Sequence, residues 1–223
     1  MGNTKSEKQK VKKLLIATNN KGKVIELQDL LKDFDVELIT PADINLNLDV
    51  EEDGRDYAEN AAKKAVAFAH ASGLISLADD SGLEVDALDG APGLFSARYG
   101  PPPSPPVFGK NGGRARGGLT DADRRAYMLE NLQGKPQPWT AHFHATIAIA
   151  APGEDVQIVE GKCYGEIIPE ERGDNGFGYD PIFLFPELNK TMAELGMEEK
   201  NRLSHRAKAV MNAIPILKRI FGL

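Results

Sequence analysis

The sequence is short of cysteine, of long apolar runs and of positive charge. Cys163 is the single cysteine among 223 residues, which excludes an intramolecular disulfide framework and is compatible with a reducing compartment. No apolar run reaches the length of a membrane span. The lysine-rich start, Met1–Lys13, lacks the apolar core of a signal peptide and reads as a disordered lead-in to a cytoplasmic chain. Lys and Arg number 27 against 33 Asp and Glu, for a net charge of −6. Proteins that grip a long phosphate backbone are normally basic, so nucleic acid is not an expected partner. A local cluster of cations can still hold one small phosphorylated ligand. The Gly-x-x-x-x-Gly-Lys-Ser/Thr spacing of a Walker A loop is also missing. His142 and His144 have no third His or Cys ligand nearby in sequence, so they read as a half-exposed strand face rather than a metal site.

What is present is an ordinary globular composition, 41% hydrophobic and 27% charged, enough for one large domain or two small ones. Residues 14–223 read as a single domain. Leu14–Thr18 predicts a first strand, and Val24, Leu27 and Leu31 fall on one helical face after it. Val36–Ile39 predicts a second strand, giving the strand–helix–strand order of an α/β protein. Asp56 opens a long helix, with Tyr57, Ala61, Ala65 and Phe68 on one face, Lys63 and Lys64 on another, and Gly73 as its stop. Residues 100–118, rich in Pro and Gly, read as a mobile surface insertion carrying Arg114 and Arg116. Thr120 and Asp123 form a capping-box start for a helix whose apolar face is Ala122, Ala126, Leu129 and Leu132. Thr140–Ala150 alternates as a strand and pairs in a hairpin with Val156–Glu166. The last helix starts at Ser204 with Ala207, Val210, Met211, Ile214 and Leu217 on its apolar face, and Pro215 should kink it.

The stretch Leu74–Leu88 organises the rest. An apolar run leads into Asp79 and Asp80 and is expected to break at Ser81-Gly82. Acids at the exit of a buried strand are well placed for a site, because open α/β sheets bind ligands beyond their strand ends. Two other sets of residues exceed what folding requires. Thr18, Asn19, Asn20, Lys21, Gly22 and Lys23 lie between a strand and a helix start, where backbone N–H groups and the dipole favour a phosphate. Phe177, Gly178, Tyr179 and Asp180 form a glycine-rich loop whose aromatics can stack on a base, and Lys200, His205 and Arg206 supply cations. His205 and Arg206 stand at a helix N-terminus, the wrong end for a cation, which argues for an anionic partner. Glu51 or Glu52 with Asp79 or Asp80 would suffice for Mg²⁺, which takes one or two carboxylates plus substrate phosphates.

Together these segments resemble the inosine triphosphate pyrophosphatase family. The resemblance rests on Thr18–Lys23, Glu59-Asn60-Ala61 with Lys64-Ala65, Ala78–Leu83, Gly90–Gly93 with Ser96–Tyr99, Gly176–Pro181, and Ser204-His205-Arg206. It runs in the family's order over nearly the whole chain. It implies an elongated mixed central sheet flanked by helices, with two lobes and the substrate in a cleft between them. It further implies a Mg²⁺-dependent homodimer that hydrolyses ITP, dITP and XTP to the monophosphate and pyrophosphate. By motif, Asp80 would be general base and metal ligand, with Glu51 or Glu52 as the metal partner; in the mechanism this suggests, Asp79 orients Asp80. Thr18–Lys23 would hold the triphosphate, and Ser81, Phe177–Asp180, Lys200, His205 and Arg206 would complete the nucleotide site. A related pyrophosphatase for other modified triphosphates and a non-catalytic nucleotide-binding module are the competing expectations.

Overall fold

The computed structural model describes residues 11–101 and 118–223. Arg114 and Arg116, with most of the Pro/Gly-rich stretch, lie outside them, as does most of the lysine-rich start. In chain order the regular elements are β1 (Lys13–Ile16), α1 (Lys21–Leu30), β2 (Glu37–Ile39), α2 (Tyr57–Ser72), β3 (Ile75–Val85), α3 (Asp121–Leu132), β4 (Trp139–Ala150), β5 (Gln157–Ile167), β6 (Phe183–Phe185), β7 (Lys190–Thr191), α4 (Met197–Leu203) and α5 (His205–Phe221). The strands form one sheet in the order β2-β1-β3-β4-β5-β6-β7. β1 pairs in parallel with β2 and β3, while β6 is antiparallel to β5 and β7. The sheet is therefore mixed, and the expected α/β class holds. Among the described residues no helix is long and apolar enough to cross a membrane.

The chain divides into two compact units, one made of residues through Asp79 with Ile147–Val159 and Ala213–Leu223, the other of Asp80–Thr146 and Glu160–Asn212. In the first, Leu15, Ile39 and Ala78 from the strands, with Ala17 just past β1, pack with Ala61, Ala65 and Phe68 of α2. The α2 periodicity is as the sequence dictates: Asp56 caps it by accepting from the Glu59 amide, and Gly73, at φ 69°, ends it. In the second unit Leu83 and Val85 pack with Met128, Phe143, Ile167, Tyr179 and Phe183.

Several expectations need correcting. β3 does not break at Ser81-Gly82 but continues to Val85, because Leu83 and Val85 are wholly buried and burial outweighs the weak strand preference of Ser and Gly. Asp79 and Asp80 therefore lie within a strand, not at its exit. Lys13, assigned to the lead-in, opens β1 and pairs with Glu37 at 3.4 Å. The Thr120–Asp123 capping box is present, yet Ala122 and Ala126 are exposed and Met128 and Leu132 carry the buried face of α3. Met211 is 61% exposed, and Ala209 and Ala213 take its expected place in the core. Lys200 and Arg202 occupy their own helix, α4, separate from α5.

Candidate functional site

In the first unit the site is built on β1, α1, α2 and the start of β3. β1 ends before Thr18, and Asn20 caps α1 by accepting from the Lys23 amide at 3.2 Å. The amides of Lys21 and Gly22 thus stand at the first positions of a ten-residue helix, where backbone donors have no intrahelical partner. Asn19 Nδ2 donates to the Leu48 carbonyl, tying this turn to the segment before the acidic run. Lys21 is exposed. Lys23 turns inward, its ammonium 2.5 Å from Asp79 Oδ1 and 3.3 Å from the Asp79 carbonyl.

Lys64 is the residue whose placement differs most from expectation. It does not lie on a solvated face of α2 but is buried, donating to the Asp79 carbonyl at 2.8 Å and pairing with Glu52 Oε1 at 3.2 Å. Asp79, 1% exposed, is thus the anchor of two lysines, and its carboxylate serves Lys23. Of the acidic run, Glu52 is linked to this lysine pair. Asp53 is drawn off by Lys63, whose hydrogen bond and charge hold its carboxyl below the usual range. The run is fixed to α2 by Asn60, which accepts from the Gly54 amide at 2.7 Å. Asp80, next along β3, is buried.

In the second unit the glycine loop is held by hydrogen bonds from several sides. Asp180 accepts from the Phe177 amide at 3.0 Å and from the Lys200 ammonium at 2.6 Å. Gly176, at φ 78°, sits against this pair: a Cβ there would lie 2.0 Å from Asp180 Oδ2, so glycine is required. Tyr179 is not an exposed stacking platform. It is 4% exposed and its hydroxyl donates to the Ser96 carbonyl at 2.8 Å, and burial pushes its phenol well above the ordinary value. Phe177 is half-buried, with the Lys200 ammonium 5.5 Å and the Arg206 guanidinium 5.7 Å from its ring centre. Arg206, itself 1% exposed, donates to Ser81 Oγ at 3.0 Å. His205 is 4% exposed and its ring stacks on Phe143.

Two residues that the sequence reading did not single out clamp the same loop. Asp121 accepts from the Gly178 amide, and Arg125 donates to the Gly178 carbonyl, each at 2.8 Å. Arg125 is held in turn by a two-point pair with Glu171 at 2.9 and 2.7 Å. Apart from the helix-capping pattern around Thr120, nothing local marks either residue. Partial burial pushes the Asp121 carboxyl up, but the Gly178 amide, Arg124 and Arg125 together hold it below its ordinary 3.8. A depressed carboxyl contributes its hydrogen bond fully above that ordinary value and loses it as pH falls through the lower folded value. The Gly178 amide proton shift should therefore stay constant down to about pH 4 and move only below it. Movement centred near neutral pH would rule out Asp121 as its partner.

His142 and His144 are half-buried on a strand face beside Glu84, at 3.3 and 3.7 Å. Among the described residues no group of three His, Cys, Asp or Glu is arranged to hold a metal ion. The oxygen donors available near the lysine pair are the carboxylates named above. Hard oxygen ligands without imidazole or thiol suit a hard divalent cation.

A mixed open sheet, a capped helix start presenting free amides, and buried carboxylates interleaved with lysines define an α/β protein equipped to handle a phosphorylated small molecule. The chain belongs to the Ham1 family, whose profile matches residues 14–216. It is 46% identical over 210 residues to a dITP/XTP pyrophosphatase of Desulforamulus reducens, covering 94% of this chain and 97% of that one. It is 47% identical over 197 residues to a dITP/XTP pyrophosphatase of Desulfotalea psychrophila, covering 88% and 81%. Among solved structures, a HAM1 protein from Coxiella burnetii matches with a TM-score of 0.77 and 39% identity, over 94% of this chain and all of that one.

Proposed function

We propose that this protein hydrolyses nonstandard purine nucleoside triphosphates, ITP, dITP and XTP, to the monophosphate and pyrophosphate, and so clears them from the nucleotide pool. The observation that carries the reading is the near full-length kinship with proteins named dITP/XTP pyrophosphatase. The chemistry of the residues supports it. Asp80 is the general base: it takes the proton of the water whose oxygen bonds to phosphorus as the α–β phosphoanhydride bond breaks, leaving the monophosphate and pyrophosphate. Asp79 holds Lys23 and Lys64 in place beside it along the chain. Lys21, Lys23, Thr18, Asn19, Asn20 and the Gly22 amide receive the triphosphate, and the lysines offset the charge that develops on departing pyrophosphate. Asp80, with Glu52 or Glu51, supplies the oxygens for Mg²⁺, and the pairing of Glu52 with Lys64 favours Glu52. A divalent cation held there would supply charge that lowers the pKa of the attacking water and screens the phosphates.

Ser81, Phe177, Gly178, Tyr179, Asp180, Lys200, His205 and Arg206 form or brace the part that receives the nucleoside. A donor facing the 6-keto oxygen accepts hypoxanthine and xanthine, whereas a 6-amino group leaves it unpaired. A homodimer in the cytoplasm, with neither nucleic acid nor membrane as partner, completes the proposal. Pyrophosphate release from ITP, XTP, dITP, GTP, ATP and dTTP, each with and without Mg²⁺, tests it. The expected result is Mg²⁺-dependent cleavage that strongly favours ITP, dITP and XTP. Preferred cleavage of ATP or dTTP would overturn the base selection, and no cleavage of any would overturn the activity.

A further inference from the structure

The first turn of α3 carries charge where a helix packed on a core would carry apolar residues. Met128 and Leu132, farther along, supply its buried face, whereas Asp121 and Arg125 stand one turn apart on one side. Both reach the main chain of a single residue, Gly178. Asp121 accepts from its amide and Arg125 donates to its carbonyl, each at 2.8 Å. The amide belongs to the peptide group shared with Phe177 and the carbonyl to the one shared with Tyr179, so two consecutive peptide planes are held from one helix. Arg125 is itself fixed, because both carboxylate oxygens of Glu171 accept from it. A guanidinium pinned in this way directs its remaining donor along one line.

Gly178 is a residue that such holding changes. Its φ is 63°, yet a Cβ there would meet nothing within 4 Å. The left-handed backbone, not lack of space, calls for glycine at this position, and glycine loses the most freedom when it is ordered. On one side of it Tyr179 is anchored in the core through the Ser96 carbonyl. On the other, Phe177 is half-buried with its ring beside Lys200 and Arg206. Gly178 is the joint between the anchored residue and that ring.

We propose that Asp121 and Arg125 are positioning residues for nucleoside binding: they lock the joint at Gly178 and thereby set the direction in which the Phe177 ring is presented. The inference rests on the nucleotide-hydrolysing reading and adds to it what prepares the ring before the ligand arrives. A ring held in place binds without first being ordered, and the saving appears as affinity. Every base offers a π-face, so the pair governs how tightly a nucleoside is held and not which base is chosen. Stacking is equal in the ground state and the transition state, so its loss falls on KM and not on kcat.

The test compares Asp121→Ala and Arg125→Met with Asp121→Asn, which keeps an oxygen able to accept from the Gly178 amide. In the first two, KM for ITP should rise roughly tenfold, the scale of one hydrogen bond, and kcat should stay within about twofold. KM for XTP should rise by the same factor. Inhibition by inosine monophosphate should weaken in step, whereas inhibition by inorganic pyrophosphate, which has no base, should not change. Asp121→Asn should recover most of the loss. The two substitutions together should cost less than the product of their separate factors, because both loosen one joint. Pyrophosphate inhibition or kcat falling along with the rest would make the pair a merely structural contact and overturn the inference, as would unchanged inosine monophosphate inhibition in folded variants. Hydrogen exchange at the Gly178 amide of the unsubstituted, nucleotide-free protein should be at least roughly tenfold slower than in an unfolded chain. No slowing overturns the inference whether or not the variants fold. A slowed amide in a protein that cleaves no ITP would instead sink the functional reading on which the inference rests.

Discussion

Asp80→Asn is expected to lower pyrophosphate release from ITP by at least the roughly 10²–10⁴-fold that a positioned general base contributes. The amide keeps the size of the side chain and removes both its basicity and its negative charge. Unfolding should change little, because Asp80 lies inside β3 and an amide fits the same volume. The comparison that isolates the role is Asp79→Asn. That carboxylate is fully buried and pairs with Lys23 at 2.5 Å, so its loss should weaken stability as well as turnover. Single-turnover kinetics with saturating ITP and Mg²⁺, read beside urea denaturation, separates the two. Asp80→Asn with near-normal turnover would remove the base from the mechanism. Asp80→Asn that loses stability as severely as Asp79→Asn would make it a structural acid.

The largest stability effect is expected at Lys200. Its ammonium lies 2.6 Å from Asp180, and both side chains are 6% exposed. Lys200→Met removes the cation and leaves the carboxylate in a buried place, a loss of about 3–5 kcal/mol when one member of a buried pair is deleted. An exposed pair at the same distance would cost about 1 kcal/mol or less. Adding Asp180→Asn to Lys200→Met should recover most of the loss. Asparagine can still accept from the Phe177 amide, which Asp180 holds at 3.0 Å, and it carries no charge to strand. Denaturation of the single and double variants reads this directly. If the double variant is no better than Lys200→Met, the pair's electrostatics are not what holds the loop.

The same pair bears on function through Phe177. Lys200 and Arg206 both approach its ring, and Asp180 draws the ring's own amide inward. The glycine loop is therefore organised by ionic contacts from within and, at Gly178, by Asp121 and Arg125 from outside. Ligand-contacting loops work best when their geometry is held by neighbours rather than by the ligand. The clamp at Gly178 supplies that support from a helix whose residues need not touch the nucleotide.

Which features were legible in the sequence follows from the range of the interactions involved. The extent of α2, from its Asp56 cap to its Gly73 stop, and the Thr120–Asp123 capping box depend on residues three or four apart, and the amino acids specify them locally. The α/β class followed from the order of apolar runs, and the family from motifs recurring in a shared order along the chain. Only the tertiary structure decided that Lys64 turns inward to the Asp79 carbonyl, since helical periodicity placed it on a face with Lys63. Only packing carried β3 past Ser81-Gly82, because Leu83 and Val85 had a second core to enter. Tyr179 became a core residue because Ser96, 83 residues away, offers its carbonyl. Asp121 reaches Gly178 across 57 residues, and Cys163 meets His205 across 42. Such contacts join side chains whose spacing along the chain carries no period, so the amino acids determined which groups were available and the packing decided which of them meet.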